Sequence, residues 1–201
     1  MKRNNRAYVL GLTGRTGSGA STAAAILKER GVYIIDADKI AHDVLLPGGG
    51  AYGAVVAELG DSILDENRHI DRKKVAAIVF NDAEKLRVHT ETTHRYILQK
   101  IEDEIDAASK FVCIDAPLLV ESGLYKRCDE SWAVCADYQT RLKRIMSRDG
   151  LTPEEAKRRM AAQKSFGEIA RYIDHIIYND AGRDALKSAV LARMAKCLKD
   201  A

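Results

Sequence analysis

Apolar residues gather in five short runs, at 8–12, 32–36, 111–116, 131–136 and 175–179, and between them the apolar spacing turns helical. Such runs, bounded by turns and alternating with helices, predict an α/β fold: a parallel sheet with helices on both faces and ligands at the carboxyl edge of the strands. About seventy residues separate the second run from the third, far more than a crossover requires. That stretch, 38–110, is expected to form an inserted helical subdomain. Within it Pro47-Gly48-Gly49-Gly50 parts one helix from the next, and Asn81-Asp82 starts a long helix reaching about residue 108. A second insertion, 138–172, is dense in arginine and lysine and reads as a helical lid, with Thr152-Pro153-Glu154-Glu155 as a capping box. The whole chain, 1–201, is expected to be one domain carrying these two insertions.

Between the first apolar run and an alanine-rich helical stretch at 21–30 lies Gly14-Arg15-Thr16-Gly17-Ser18-Gly19-Ala20-Ser21-Thr22. It follows the phosphate-loop pattern G-x-x-x-x-G-K-[ST], with Gly14 and Gly19 at the glycine positions and Ser21 at the hydroxyl position. Ala20 stands where the pattern has lysine. The glycines allow backbone N–H groups to converge on phosphate oxygens, and the following helix start favours negative charge. Neither effect needs the lysine side chain. Ser21 would place its hydroxyl on a magnesium ion bridging the phosphates. Arg15 is a cation within the loop itself, although side chains there usually point away from the nucleotide. Lys39 and Lys164 are weaker candidates to replace the missing ammonium.

Asp36 and Asp38 close the second run and Asp115 lies near the end of the third, so a parallel sheet brings three carboxylates to the edge that carries the loop. A kinase needs one carboxylate to orient or deprotonate the attacking hydroxyl and others for the metal shell. Asp38 is the candidate base; Asp36 and Asp115 are the candidate metal carboxylates. The competing reading makes Asp36 and Asp38 caps of a helix starting near Lys39. Arg141, Arg144 and Arg148 share one helix face. Facing inward they would clamp transferring phosphate, and facing outward they would be a solvated charged surface. His94 shares a helical face with Ile97, Leu98, Ile101 and Ile105, so spacing alone favours a core histidine bonded to a carbonyl. Tyr96 and Trp132 read as packing residues.

With 46% hydrophobic residues the chain can bury a core. Lys+Arg 32 against Asp+Glu 29 leaves +3 with the charges interspersed, which argues against a nucleic-acid or membrane partner. The basic start at 1–6 precedes too short an apolar run for a signal peptide or a membrane span, which predicts a cytoplasmic protein. Cys113, Cys128, Cys135 and Cys197 form no C-x-x-C pair and are expected to be free thiols.

These segments together resemble the dephospho-coenzyme A kinase family. The resemblance rests on Leu12-Thr13-Gly14 through Ser21-Thr22, Ile35-Asp36-Ala37-Asp38 with Ala41, Asp71-Arg72, Phe80, His94 and Asp115-Ala116-Pro117-Leu118-Leu119-Val120-Glu121. It continues through Arg144, Arg148-Asp149, Gln163, Asp174 and Ile177-Tyr178-Asn179. It implies a three-layer P-loop kinase fold with roughly five parallel strands, a helical coenzyme-binding subdomain and a mobile lid. The activity implied is transfer of the ATP γ-phosphoryl group to the ribose 3′-hydroxyl of dephospho-coenzyme A, with Mg2+. By the same resemblance Asp38 is the base, Ser21 a metal ligand, and Arg144 and Arg148 lid cations. Residues Gly14, Arg15, Thr16, Gly17, Ser18, Gly19, Ala20, Ser21 and Thr22 form the ATP loop. Asn179 lies near adenine, and Arg72, His94 and Glu121 join Asp38 at the acceptor, which overrides the core reading of His94. Three positions depart from the family: Ala20 for lysine, Arg95 for the proline after His94, and Ile169 for a basic lid residue. Ala20 keeps open a nucleotide- or coenzyme-binding regulatory homologue without efficient catalysis, and the fold alone also admits a P-loop kinase of another small hydroxyl compound.

Overall fold

Five apolar runs become five strands in this computed structural model, which describes residues 7–108 and 110–200; the basic start at 1–6 lies outside the described residues. They are β1 (Tyr8–Gly14), β2 (Tyr33–Asp36), β3 (Phe111–Asp115), β4 (Glu130–Cys135) and β5 (His175–Tyr178), with ends displaced from the sequence runs by at most two residues. The sheet order is β2-β3-β1-β4-β5. β1 pairs in parallel with both β3 and β4, and β4 with β5. The register sets Leu12 beside both Asp115 and Trp132, and Cys135 beside Tyr178, so Gly14, Asp115, Cys135 and Tyr178 all end at one edge. A central strand is covered on both faces, which is why Val9, Leu10 and Leu12 are all apolar and have no solvent exposure.

The described backbone forms two compact units, one of residues 7–35 with 108 and 110–200 and one of residues 36–107. In the first, α1 (Ala20–Glu29) buries Ala23, Ala24, Ile26 and Leu27 at helical spacing. α9 (Arg183–Asp200) brings Leu186, Val190 and Cys197 into the same core as Leu10, Leu12 and Trp132. α6 (Tyr138–Asp149) and α7 (Pro153–Ala161) share a smaller core of Leu142, Ile145, Ala156 and Met160. The Thr152–Glu155 capping box is formed as the sequence requires, and α8 (Phe166–Ala170) starts on a second one, Ser165 with Glu168.

The second unit holds α2 (Ala37–Asp43), α3 (Tyr52–Leu59), α4 (Arg72–Val79) and α5 (Ala83–Ala107). Asp82 starts α5 by accepting from the amides of Glu84 and Lys85, while Asp71 does the same for α4 with Lys73 and Lys74.

Where β1 and β4 begin, away from the loop edge, Glu130 is buried and accepts from Tyr8 Oη at 3.0 Å, Trp132 Nε1 at 2.8 Å, Arg193 Nε at 2.7 Å and Cys197 Sγ at 3.0 Å. Burial alone would raise its pKa, but the bonds from Cys197, Arg193, Trp132 and Tyr8 together hold it below the ordinary carboxylate value. The same surroundings push the Cys197 thiol up to about 11, burial being the first cause, so it stays protonated. This knot ties α9 to the sheet. Cys113, Cys128, Cys135 and Cys197 are all free thiols. Among the described residues no helix is long and apolar enough to cross a membrane.

Candidate active site

The loop between β1 and α1 is shaped by two glycines with different duties. A Cβ on Gly14 would strike Ser18 Oγ and approach Val134 O to 2.9 Å, so only hydrogen fits there. Gly19 has φ +102°, a left-handed conformation that strains other residues, and it is the N-cap of α1. No side chain caps α1 and no acidic residue occupies its first turn. By contrast α2, α4, α6, α7 and α8 all start on an Asp, Thr or Ser that accepts from the helix or belongs to a capping box. The first turn of α1 is therefore left with free N–H groups and its positive dipole end open to an anion.

The outer side of the loop is held by α6 and by Asn179. Arg141 Nε donates to Thr16 O at 2.9 Å. Arg144 reaches Gly17 O and Ser18 O, each at 3.4 Å, and Asn179 O at 2.9 Å. Asn179 is itself buried and donates from Nδ2 to Ser18 O at 2.7 Å. A trans peptide sets each N–H opposite the preceding carbonyl. Fixing the carbonyls of Thr16 and Ser18 toward the guanidiniums and the Asn179 amide therefore turns the N–H groups of Gly17 and Gly19 the other way. Through these polarised peptides the arginines act on the loop as fixed positive charge without entering it. Beside them a cleft of about 550 Å3 is lined by Gly19, Ser21, Thr22, Arg144, Asn179 and Arg183.

The sequence-derived cations separate clearly. Arg144 is on the loop; Arg148 binds both oxygens of Asp149, at 2.7 and 2.9 Å, and Asp149 also takes Arg159 at 2.8 Å. Arg15 points away from the N–H side and donates from Nη2 to Met160 O at 3.2 Å. Lys39 is paired with Asp43. Gln163, which sequence reasoning tied to no role, accepts from Thr16 N at 2.9 Å and so anchors the loop tip to the end of α7. No motif marks that contact; it depends on how far α7 runs.

Asp115 ends β3 level with Leu12, and Glu121 lies on the exposed turn that follows. In the other unit Asp36 caps α2 by accepting from Lys39 N at 2.8 Å, as the cap reading of its sequence position requires. Asp38, in the first turn of α2, makes no such bond to the backbone. Its pKa is raised, first by partial burial and second by the Asp36 charge, toward the range of a useful base. Arg72 is the first residue of α4 and exposed. His94 is half-buried on α5 with a buried Nε2 that has no partner, and Nδ1 of His89, which no sequence signal singles out, is buried and unpartnered as well.

A glycine loop with an uncapped helix start, at the carboxyl edge of a parallel sheet of this order, defines the class of P-loop phosphotransferases. The particular family follows from comparison with known proteins. A family profile described as "Dephospho-CoA kinase" matches residues 8–185. "Dephospho-CoA kinase" of Geobacillus kaustophilus is 40% identical over 187 residues, covering 91% of this chain and 93% of the relative. Among solved structures, TT1252 from Thermus thermophilus superimposes with a TM-score of 0.79 at 28% identity, over 95% of this chain and 98% of that one. Dephospho-CoA kinase from Campylobacter jejuni has a TM-score of 0.59 at 26% identity, over 94% and 96%. The chain belongs to the dephospho-CoA kinase family.

Proposed function

We propose that this chain phosphorylates the ribose 3′-hydroxyl of dephospho-coenzyme A from ATP, with a phosphate cradle that works through backbone N–H groups and outer-sphere arginines instead of a loop lysine. The observation that carries this reading is the loop itself: its amides are aimed and its helix start is uncapped although Ala20 supplies no charge. Asp38 accepts the hydroxyl proton as that oxygen bonds to the γ-phosphorus and the bridge to ADP breaks; the proton then passes to solvent. Asn179 and Arg144 flank the nucleoside side of the cleft. Arg72, His94 and Glu121 orient the acceptor, and the 138–172 arm closes over the phosphates, Arg148 exchanging Asp149 for a phosphate oxygen. The segment 38–110 supplies the acceptor surface of a single domain.

Mg2+ suits the oxygen donors Ser21, Asp36 and Asp115. Among the described residues no group of three or more His, Cys, Asp or Glu is assembled for a metal. When bound, Mg2+ neutralises charge developing on the phosphoryl oxygens.

The test is phosphoryl transfer from Mg-ATP to dephospho-coenzyme A by the full chain. Turnover is expected, with Asp38→Asn slower by about a hundredfold to ten-thousandfold. Equal rates in the two proteins would remove Asp38 from the chemistry, and no turnover in either would favour the second reading, a binding homologue, which Ala20 motivates.

A further inference from the structure

Behind the phosphate loop, between the ends of β4 and β5 and the start of α6, lies a separate cavity of about 310 Å3. It is lined by Arg15, Ser18 and Arg141 on one side and by apolar surface from Val134, Phe166 and Tyr178 on another. The nucleotide cleft shares none of these residues. Arg141 is 4% exposed and Ser18 1% exposed. Arg141 Nη2, Arg15 Nε and Ser18 Oγ are all buried and lack a hydrogen-bond partner. Three of the chain's unpartnered buried polar atoms thus belong to residues of one cavity, and all three are donors.

A buried donor without an acceptor is costly, and two guanidiniums side by side add mutual repulsion. Burial first and the Arg15 charge second press the pKa of Arg141 below its usual value. Two carboxylates stand at the rim, each holding a backbone N–H: Asp137 accepts from Thr140 N at 2.9 Å and Asp180 from Asp137 N at 2.8 Å. No ion pair joins either aspartate to Arg15 or Arg141 among the described residues. Asp137 and Asp180 are exposed, where water and salt screen them, whereas Arg141 and Ser18 are buried and Arg15 is partly buried. An entering anion would therefore set its head against Arg15, Arg141 and Ser18 and its body against Phe166 and Tyr178.

We propose that this cavity is a second ligand site, distinct from the ATP cradle, that takes a compact organic anion: a phosphate monoester or carboxylate on a small aromatic or apolar body. The volume is at the lower end of the range for small-molecule pockets, which limits the body to about one ring. Because Arg141 also holds Thr16 O, a ligand that engages its free Nη2 is coupled to the loop. This site stands whether or not the chain turns over dephospho-coenzyme A.

The test is calorimetric titration of the full chain with phenyl phosphate, alone and with a non-hydrolysable ATP analogue at saturation. Binding at millimolar or tighter affinity is expected to persist with the analogue, with phenol silent and inorganic phosphate weaker by about tenfold or more. Arg15→Gln and Arg141→Gln should each weaken phenyl phosphate by about tenfold or more. Ala136→Leu, which narrows the cavity and leaves both arginines in place, should weaken it as well and decides the matter if an arginine variant does not fold. Absence of binding at tens of millimolar overturns the proposal, as does displacement by the analogue or indifference to Ala136→Leu. Failure of the analogue itself to bind would count against the ATP reading alone.

Discussion

Where β4 begins, Glu130 collects donors from Tyr8, Trp132, Arg193 and Cys197; where it ends, Arg15, Ser18 and Arg141 keep donors that no acceptor meets. Both groups are buried in the same unit, so burial does not explain the difference. At the first edge each donor has an acceptor and the result is a staple between α9 and the sheet. At the second, peptide dipoles, an uncapped helix start and guanidiniums all present positive potential, which an anion would offset. The same elementary cost of desolvating polar groups thus gives a structural knot at one edge and a ligand-seeking surface at the other. Substitutions at the β4 start should cost stability and spare turnover, and those at the loop edge the reverse.

The sharpest break of that contrast is at Arg144. Arg144→Ala frees the carbonyls of Gly17 and Asn179, leaves Ser18 O only the Asn179 amide, and removes the charge that polarises the loop from outside, so kcat/KM for phosphoryl transfer should fall by about a hundredfold or more, with the melting temperature barely moved. Partial recovery in Arg144→Lys would mark charge, and none would mark the fork geometry that spans three carbonyls. A variant that melts early but retains normal kcat would move Arg144 to the structural side.

Glu130→Gln should do the opposite. It leaves Arg193 without its counter-charge and lowers stability by about 3 kcal/mol, with kcat unchanged below the transition. Because the Glu130 pKa is depressed in the fold, its stabilisation is fully present above the ordinary carboxylate pKa and is lost as pH falls through the depressed value. The gap in melting temperature between wild type and variant should therefore close on acidification. A gap that widened would reverse the sign and discard the depressed carboxylate.

Ala20→Lys comes next. If peptide dipoles and Arg144 already supply part of the positive potential, restoring the ammonium should raise kcat/KM by about tenfold to a hundredfold, the worth of one charge-assisted bond. No gain would mean that the outer arginines have fully taken over its role. Appearance of activity only in the variant would mean a binding homologue.

The fold was legible because its signals are local: five apolar runs, the capping residues Asp82 and Thr152, and the Gly14–Gly19 spacing each need only near neighbours. Sequence spacing put Arg141, Arg144 and Arg148 on one helix face and could go no further. The first two depend on tertiary partners, the carbonyl of Thr16 for Arg141 and three carbonyls for Arg144, whereas Arg148 turns to its own neighbour in the chain, Asp149. Ser18 is a similar case. A serine in a glycine loop looks permissive, yet its buried Oγ is what excludes a side chain at Gly14. The Glu130 knot left no trace in the sequence, because its members are spread from residue 8 to residue 197 and share no period.

The smallest expected effect probes imperfect compensation in its negative form, the like-charged pair at the start of α2. Asp38 has its pKa raised by burial and then by Asp36, so as a base it works only when ionised, and kcat/KM should fall as pH drops through that raised value. Asp36→Asn removes the second cause and keeps the first, while asparagine still caps α2, so stability should change by only a few tenths of a kcal/mol. The acid limb of the profile should then shift to lower pH, making the variant faster than wild type on that limb. If Asp36 also helps hold Mg2+, the plateau at higher pH should drop in the same variant, and added Mg2+ should restore it. The limb reads Asp38 and the plateau reads the metal, so one profile separates the two roles; a limb that stays in place would show that the Asp36 charge does not reach the base.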